Sequence, residues 1–213
     1  MAKKPLKILI TAGGTREYID PVRFISNASS GRMGYALARA AIKAGHSVTL
    51  ITAPTALKPP KGAKLISVET SEQMFSAVKA SFAACDGLIM AAAVSDYKPA
   101  KTSPTKLKKQ NTDLTLRLVP TRDILAWAGR HKLPHQRVCG FALEDRNILE
   151  NAEHKLRKKK LDMIVANAPS AIGAADSTLY IKAKGGDWKT LPKCTKMHSC
   201  TIIMNLFSTF FTL

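Results

Sequence analysis

The chain has 213 residues, of which 46% are hydrophobic and 23% are charged, which is enough for one α/β domain with a substantial core. Its formal net charge of +18 favours anionic partners: nucleic acid, an anionic membrane surface or a small polyphosphate. The sequence has no signal peptide at its start and no apolar run of the ~20 residues that a membrane helix needs. We therefore expect a cytoplasmic protein that does not bind a membrane.

The first half of the chain alternates predicted strands and helices. An apolar, β-branched run at 6–12 ends in Gly13-Gly14, as a buried parallel strand would. After a polar loop, helices are predicted at 31–45 and 71–84 and strands at 47–52, 64–68 and 87–92. This alternation predicts an α/β fold with a doubly wound, Rossmann-like parallel sheet.

The second half continues the alternation less regularly. It contains an extended segment, a helix, a strand, a helix and a strand, at 114–119, 122–130, 137–143, 147–160 and 163–166. A C-terminal hairpin is predicted from residue 178, with its turn at Gly185-Gly186. We expect a single domain over 1–196.

Residues 197–213 are interpreted as an atypical apolar tail. They contain no charged residue, and 202–213 show no clear helical spacing. A buried strand, an oligomer contact and a non-native end all remain open. We expect the tail to add little to a ligand site.

The four cysteines show no pattern of a disulfide framework or a metal site. Cys85, Cys139, Cys194 and Cys200 include no C-x-x-C pair and no zinc-type spacing with histidine. We expect reduced thiols. Because the histidines and serines also form no nucleophile–base pattern, any catalysis would depend on positioning and charge stabilisation.

The loop after the first predicted strand suits a phosphate. Ligands of open α/β sheets lie at the carboxyl ends of the strands, with phosphates at helix N-termini. This loop offers backbone N–H groups at Gly13, Gly14, Ser29, Ser30 and Gly31, although glycines here could also only relieve packing.

A nicotinamide or flavin reductase is a weaker alternative. The G-x-G-x-x-G fingerprint of dinucleotide-binding proteins is absent. Tyr97 and Lys101 have the spacing of a reductase pair, but Pro99 between them disfavours the helix on which that pair depends.

Two lysine-rich segments and one aspartate complete the candidates. One basic loop holds Lys98, Lys101, Lys106, Lys108 and Lys109, and a second cluster at 155–160 ends a predicted helix. Several lysines can neutralise a triphosphate, although cations at a helix C-terminus are also common on solvated surfaces. Asp96 follows the fourth predicted strand, where it suits a ribose, a base edge or the cap of a turn.

A nucleic-acid-binding protein remains an alternative, but it would need interleaved aromatic residues that this sequence lacks.

The sequence resembles the phosphopantothenoylcysteine synthetase family over roughly residues 7–195. The specific block is 7–34 (KILITAGGTREYIDPVRFISNASSGRMG), and weaker similarity follows in order at 91–99, 106–109, 140–144 and 155–167. Two departures weaken the base-pocket assignment: the segment from Thr121 to Ile124 stands where many relatives have Asn-Pro-Asp-Ile, and Arg32 replaces a common lysine.

The resemblance implies a ligase of coenzyme A biosynthesis. It would join 4'-phosphopantothenate to L-cysteine through an acyl-cytidylate, using CTP with Mg²⁺ and releasing CMP and pyrophosphate. It also implies a homodimer that acts on small molecules and has no nucleic acid as a partner. Because Met1 stands only a few residues before the first predicted strand, we expect a free-standing synthetase with phosphopantothenoylcysteine decarboxylase on a separate chain.

The resemblance also implies roles for individual residues. Asn27 and Lys106 would be catalytic, and Arg23, Asn27 and Ala93 would bind phosphopantothenate. The nucleotide would be bound by the loop glycines and serines (Gly13, Gly14, Ser29, Ser30, Gly31) together with Met90, Ala91, Ala92, Asp96, Lys106, Thr121, Arg122, Asp123, Ile124, Phe141, Lys155 and Lys159.

Overall fold

The computed structural model describes residues 4–109, 111–168 and 176–211. The strands are β1 (Lys7–Ala12), β2 (Arg16–Tyr18), β3 (Phe24–Ser26), β4 (Ser47–Thr52), β5 (Ala63–Ser67), β6 (Gly87–Met90), β7 (Tyr97–Pro99), β8 (Leu118–Pro120), β9 (Arg137–Leu143), β10 (Met163–Asn167), β11 (Asp176–Ala183) and β12 (Trp188–Thr195). The helices are α1 (Arg32–Lys43), α2 (Ser71–Phe82), α3 (Ile124–His131), α4 (Ile148–Lys158) and α5 (Lys196–Thr209).

The central sheet has the strand order β12-β11-β10-β9-β6-β1-β4-β5. The six strands from β10 to β5 are parallel, and β11 and β12 continue the sheet as an antiparallel hairpin. Numbered along the chain, the parallel strands follow the 3-2-1-4-5-6 order of doubly wound nucleotide-binding folds. The Rossmann-like sheet and the C-terminal hairpin predicted from the sequence are thus confirmed. The order reverses between β1 and β6, where ligands of such folds bind.

Both faces of the sheet are covered because its central strands are apolar on both sides. Ile8 and Ile10 of β1 pack with residues of α1 and α5, whereas Leu9 points to the opposite face and packs with residues of α2, α3 and α4. All four residues of β6 are buried. Continuous apolar strands of this kind are typical of a parallel sheet between two helical layers.

Short strands outside the central sheet were not predicted. β2 pairs with β3, and β7 pairs with β8, in two separate antiparallel ladders of three residue pairs each. The extended segment predicted at 114–119 contributes only the start of β8. Tyr97 lies in β7 and not in a helix, as Pro99 led us to expect. Strands of three residues carry too little alternation to be detected in a sequence.

Helix α5 corrects our interpretation of the C-terminal segment. Cys200, Ile203, Met204 and Phe207 are fully buried and have the i, i+3, i+4, i+7 spacing of one helical face. This face packs against α1 and the sheet. Apolar residues also occupy positions between these four, so the sequence alone does not reveal the buried face. The segment is therefore an intramolecular helix, which was not among the three possibilities considered.

Phe207 joins α5 to the centre of the sheet. A Cβ added to Gly87 of β6 would lie only 2.5 Å from Cε1 of Phe207, so the ring uses the space that the glycine leaves. Phe210 and Phe211 contact the Phe207 ring edge-on, with centroids 6.2 and 5.7 Å away. The Phe207 ring can pack against β6 in this way only because residue 87 has no side chain.

The cysteines are all free thiols, as expected. Burial raises the pKa of Cys85 and of Cys200 to about 12, so both stay protonated at neutral pH. Among the residues that the structure describes, no helix is long and apolar enough to cross a membrane.

Replacing Phe207 with Ala should lower the free energy of unfolding by about 3–5 kcal/mol, because a large buried ring is lost and a cavity remains beside β6. Urea denaturation followed by circular dichroism measures the change. Asn205→Ala, at an exposed position of the same helix, should have little effect. Similar midpoints for the wild type and Phe207→Ala would show that α5 does not stabilise the sheet.

Candidate active site

A cavity of about 440 Å³ lies at the carboxyl ends of the central strands, at the point where the strand order reverses. We call it the central cavity. Its lining comes from the loop after β1, the loop after β6, the ends of β9 and β10, and the starts of α1 and α5. The lining residues are Asn27, Ala28, Ser29, Ser30, Gly31, Arg32, Met33, Ala91, Ala92, Ala93, Val94, Asp96, Phe141, Leu143, Lys155, Asn167 and Lys196.

A smaller cavity of about 160 Å³ adjoins it, and we call it the side cavity. The two cavities share Ala92, Val94, Asp96, Phe141 and Lys155. The side cavity is otherwise lined by Met90, Thr121, Arg122, Asp123, Ile124, Leu125 and Lys159. A ligand with two chemically different parts could therefore occupy both.

Backbone hydrogen bonds join the loop after β1 to the loop after β6. The N–H of Ala93 donates to the carbonyl of Gly13 (2.8 Å), and the N–H of Thr15 donates to the carbonyl of Ala93 (3.2 Å). The Thr15 hydroxyl in turn accepts from the N–H of Ser95 (3.0 Å). These bonds fix the floor of the central cavity before any ligand binds.

Gly14 allows the loop to fold back on itself. A Cβ at this position would lie 2.8 Å from the carbonyl oxygen of Asn27 and 3.1 Å from Oγ of Ser26, so any larger residue would push the returning chain away. Neither Gly13 nor Gly14 lines the cavities among the described residues. Their position supports the shape of the loop.

The N-terminus of α1 opens into the central cavity. Gly31 precedes the helix with a φ of 74°, and no side chain caps the first turn. The free N–H groups of a first helical turn carry partial positive charge and favour a bound anion. Ser29 and Ser30, which precede this turn, also line the cavity, as predicted for a phosphate-binding loop.

Asn27 connects the two loops through its side chain. Its Nδ2 donates to the carbonyls of Ala93 (3.3 Å) and Val94 (3.2 Å). Both amide hydrogens are therefore directed to the backbone, and donation to a ligand oxygen would require the exchange of one of these bonds. The side chain is exposed toward the cavity, within reach of a ligand.

The side cavity contains an ion pair at the start of α3. Asp123 caps α3 by accepting from the N–H of Ala126 (2.9 Å), and its carboxylate also lies 2.8 Å from Nζ of Lys159. Burial alone would raise the pKa of Asp123, but the hydrogen bonds from Lys159 and Ala126 outweigh burial and lower it. Asp123 is thus an anion that holds Lys159 at the cavity wall.

Lys155 stands between the two cavities. Its Nζ donates to the carbonyl of Phe141 (2.8 Å). Burial lowers the pKa of Lys155, and the nearby charge of Lys159 lowers it further. A bound anion would offset both effects, because it would stabilise the charged ammonium.

Arg122 and Thr121 shape the remaining wall of the side cavity. The guanidinium of Arg122 lies over the ring of Phe75, 4.9 Å from its centroid, and 3.6 Å from a carboxylate oxygen of Glu72. The Thr121 hydroxyl donates to the carbonyl of Ser95 at 2.6 Å. Arg122 therefore makes structural contacts at a position where the family pattern has proline.

Arg23 and Lys106 lie outside both cavities. Arg23 is paired with the fully buried Asp20, and both residues hold the backbone of Leu107: Asp20 accepts from its N–H (3.1 Å), and Arg23 donates to its carbonyl (2.9 Å). The hydrogen bond from Arg23 keeps the pKa of Asp20 well below its usual range. This pair fixes the basic loop next to Lys106, whose own side chain is exposed.

The structure thus brings sixteen of the predicted site residues to the two cavities, and Gly13, Gly14, Arg23 and Lys106 are the exceptions. It also adds residues that the sequence did not single out as ligand-binding. Leu143 and Asn167 end β9 and β10, so the predicted strand ends could have pointed to them. Lys196 begins α5, and it could not be found without that helix.

The fold and the cavities define a Rossmann-like α/β protein with a cavity lined by basic residues at the reversal of strand order. The chain belongs to the family described as the DNA/pantothenate metabolism flavoprotein C-terminal domain, whose model matches residues 3–210.

Curated relatives include two proteins named coenzyme A biosynthesis bifunctional protein CoaBC. The protein from Borreliella burgdorferi is 38% identical over 205 residues, covering 95% of this chain and 52% of that protein. The protein from Bacillus subtilis is 45% identical over 195 residues, covering 89% of this chain and 48% of that protein. This chain therefore spans about half the length of the curated relatives that it matches.

A solved structure covers the whole of the matched region. The crystal structure of the C-terminal domain of coenzyme A biosynthesis bifunctional protein CoaBC has a TM-score of 0.86 and 37% sequence identity to this chain. The match covers 99% of this chain and 98% of that one. The similarity therefore extends over the central sheet, the hairpin and α5 together.

Proposed function

We propose that this protein is a CTP-dependent ligase that joins 4'-phosphopantothenate to L-cysteine in coenzyme A biosynthesis. The family and the name shared by the relatives from Borreliella burgdorferi and Bacillus subtilis support this proposal. The observation that carries it is the pair of connected cavities, because the reaction needs a nucleotide and an acyl substrate side by side.

In this proposal the nucleotide occupies the side cavity. Lys155 and Lys159 would hold its phosphates, and Asp96 would contact the ribose. The base would lie against Phe141 and the segment 121–124.

The reaction would proceed in two steps. The carboxylate of 4'-phosphopantothenate attacks the α-phosphorus of CTP, pyrophosphate leaves, and an acyl-cytidylate forms. The amine of cysteine then attacks the acyl carbon, CMP leaves, and the amine loses a proton as the amide bond forms. Fixed donors and cations stabilise the charge that develops in each step, which suits a site without a nucleophile–base pair.

Mg²⁺ would arrive with the triphosphate. Among the described residues, no group of three or more His, Cys, Asp or Glu side chains is placed to hold a metal ion. In nucleotide sites Mg²⁺ is bound mainly by phosphates, waters and one or two carboxylates, so it needs no protein cage. The metal would neutralise charge on the phosphates of the bound triphosphate.

Lys106 remains a proposed phosphate ligand that lies outside the cavities. The Asp20–Arg23 pair holds the neighbouring Leu107 backbone, so the loop has a defined anchor. Arg23 would then affect binding of the acyl substrate indirectly, because it holds this loop in place.

CTP should support pyrophosphate release far better than ATP. The measurement incubates the protein with 4'-phosphopantothenate, cysteine, Mg²⁺ and each nucleotide separately. The reason is the resemblance in sequence, which implies CTP as the nucleotide. Equal rates would contradict the choice of CTP but not the ligase, whereas no release with any nucleotide would contradict the ligase itself.

A matched pair of lysine variants tests whether this reaction uses the side cavity. Lys159 lines the cavity, whereas its neighbour Lys158 is exposed outside it. Lys159→Gln should raise KM for CTP on the order of 10-fold, the effect of losing one charged hydrogen bond. Lys158→Gln removes the same charge and should leave KM unchanged. Equal effects would indicate diffuse attraction only.

Asn27→Asp should separate the two steps. The new carboxylate would face the carbonyls of Ala93 and Val94, and it would repel the oxyanion that forms when cysteine attacks. The variant should consume CTP in a single turnover, accumulate an acyl-cytidylate detectable by mass spectrometry, and form almost no cysteine adduct. Asn205→Asp, the same change on the exposed side of α5, should behave as the wild type. Adduct formation by Asn27→Asp at a near-normal rate would refute the role of Asn27.

We further propose a homodimer whose interface includes β2, β3, β7 and β8. β2 contacts β7, and exposed apolar side chains lie on or beside these strands: Val22, Phe24, Tyr97 and Leu118. An exposed apolar patch is typical of a protein interface. Light scattering should show that Val22→Glu is a monomer, while Leu133→Glu, an exposed position elsewhere, stays a dimer. A monomeric wild type would contradict this proposal.

A further inference from the structure

We call the part of the central cavity that is not shared with the side cavity the unshared end, and its lining includes two cations, Arg32 and Lys196. Over its whole described lining the central cavity contains three cations and one carboxylate, and that carboxylate, Asp96, belongs to the part shared with the side cavity. The unshared end is therefore the electropositive one. Because the proposed function places the nucleotide in the side cavity, a different part of the bound substrates must occupy the unshared end.

Both cations occupy the first position of a helix. Arg32 begins α1 and Lys196 begins α5, and neither helix has an acidic residue in its first turn. A cation at a helix N-terminus is disfavoured, because the helix dipole already places positive charge there. Two such placements at one cavity depart from the usual preference of helix N-termini, and such departures are typical of functional sites.

The packing of α5 holds Lys196 at this place. Thr195 caps α5 by accepting from the N–H of His198 (3.3 Å). One turn into the helix, Sγ of Cys200 lies 3.5 Å from Sδ of Met33, which also lines the cavity. The start of α5 is thus packed against the start of α1, and this packing holds the half-buried Lys196 at the central cavity.

We propose that Lys196 binds the phosphate group of the acyl substrate and makes the site specific for the phosphorylated form. This inference rests on the proposed function. The substrate 4'-phosphopantothenate carries a carboxylate at one end and a phosphate at the other. With the carboxylate near Asn27 and the nucleotide in the side cavity, the phosphate lies in the unshared end, against Lys196 and Arg32.

The test compares the binding of 4'-phosphopantothenate and of unphosphorylated pantothenate by titration calorimetry without nucleotide. Lys196→Gln should weaken binding of 4'-phosphopantothenate on the order of 10-fold, the effect of losing one charged hydrogen bond. Binding of pantothenate should not change. Lys196→Arg should retain most of the affinity, and Lys189→Gln, an exposed lysine on β12, should match the wild type.

Steady-state kinetics with each substrate varied in turn completes the test. Lys196→Gln should raise KM for 4'-phosphopantothenate and leave KM for CTP unchanged. Equal weakening of both pantothenate forms, or a rise in KM for CTP alone, would overturn the assignment of Lys196. A wild-type protein that binds neither form and releases no pyrophosphate would instead overturn the proposed function.

Discussion

The site depends on the hydrogen bonds that join the loop after β1 to the loop after β6. Parallel strands bring these two loops to the same edge of the sheet, but the connections leave toward opposite faces because the strand order reverses there. Backbone hydrogen bonds of Gly13 and Thr15 with Ala93 join the two loops, and the side-chain amide of Asn27 donates two more hydrogen bonds between them. The central cavity is therefore a consequence of sheet topology, fixed by the backbone.

The cationic side chains around the two cavities form two groups. Lys155 and Lys159 come from α4 and its C-terminal end, while Arg32 and Lys196 begin helices on the other face of the sheet. The side cavity also contains Asp123, which pairs with Lys159 and keeps it in place. The net charge of +18 attracts anions in general, whereas these four positions concentrate positive charge at the two cavities.

Most of the site could be predicted because parallel strands place their ends together. The predicted strand at 137–143 coincides with β9, and Asp96 follows β6 as expected. The resemblance to a known family then supplied Asn27, Lys155 and Lys159, all of which lie in a cavity. Lys106 was assigned in the same way, but a motif does not determine the path of a long loop, and its anchor at Asp20 depends on contacts distant in the sequence.

The sequence by itself determined the alternation of strands and helices, the doubly wound sheet and the C-terminal hairpin, because these follow from local periodicity and turn residues. Only the tertiary structure decided the role of α5. Its segment is apolar around most of its circumference, so no local pattern says which side is buried. Contact with Gly87 and Met33, more than 100 residues away, selects that side and brings Lys196 to the cavity.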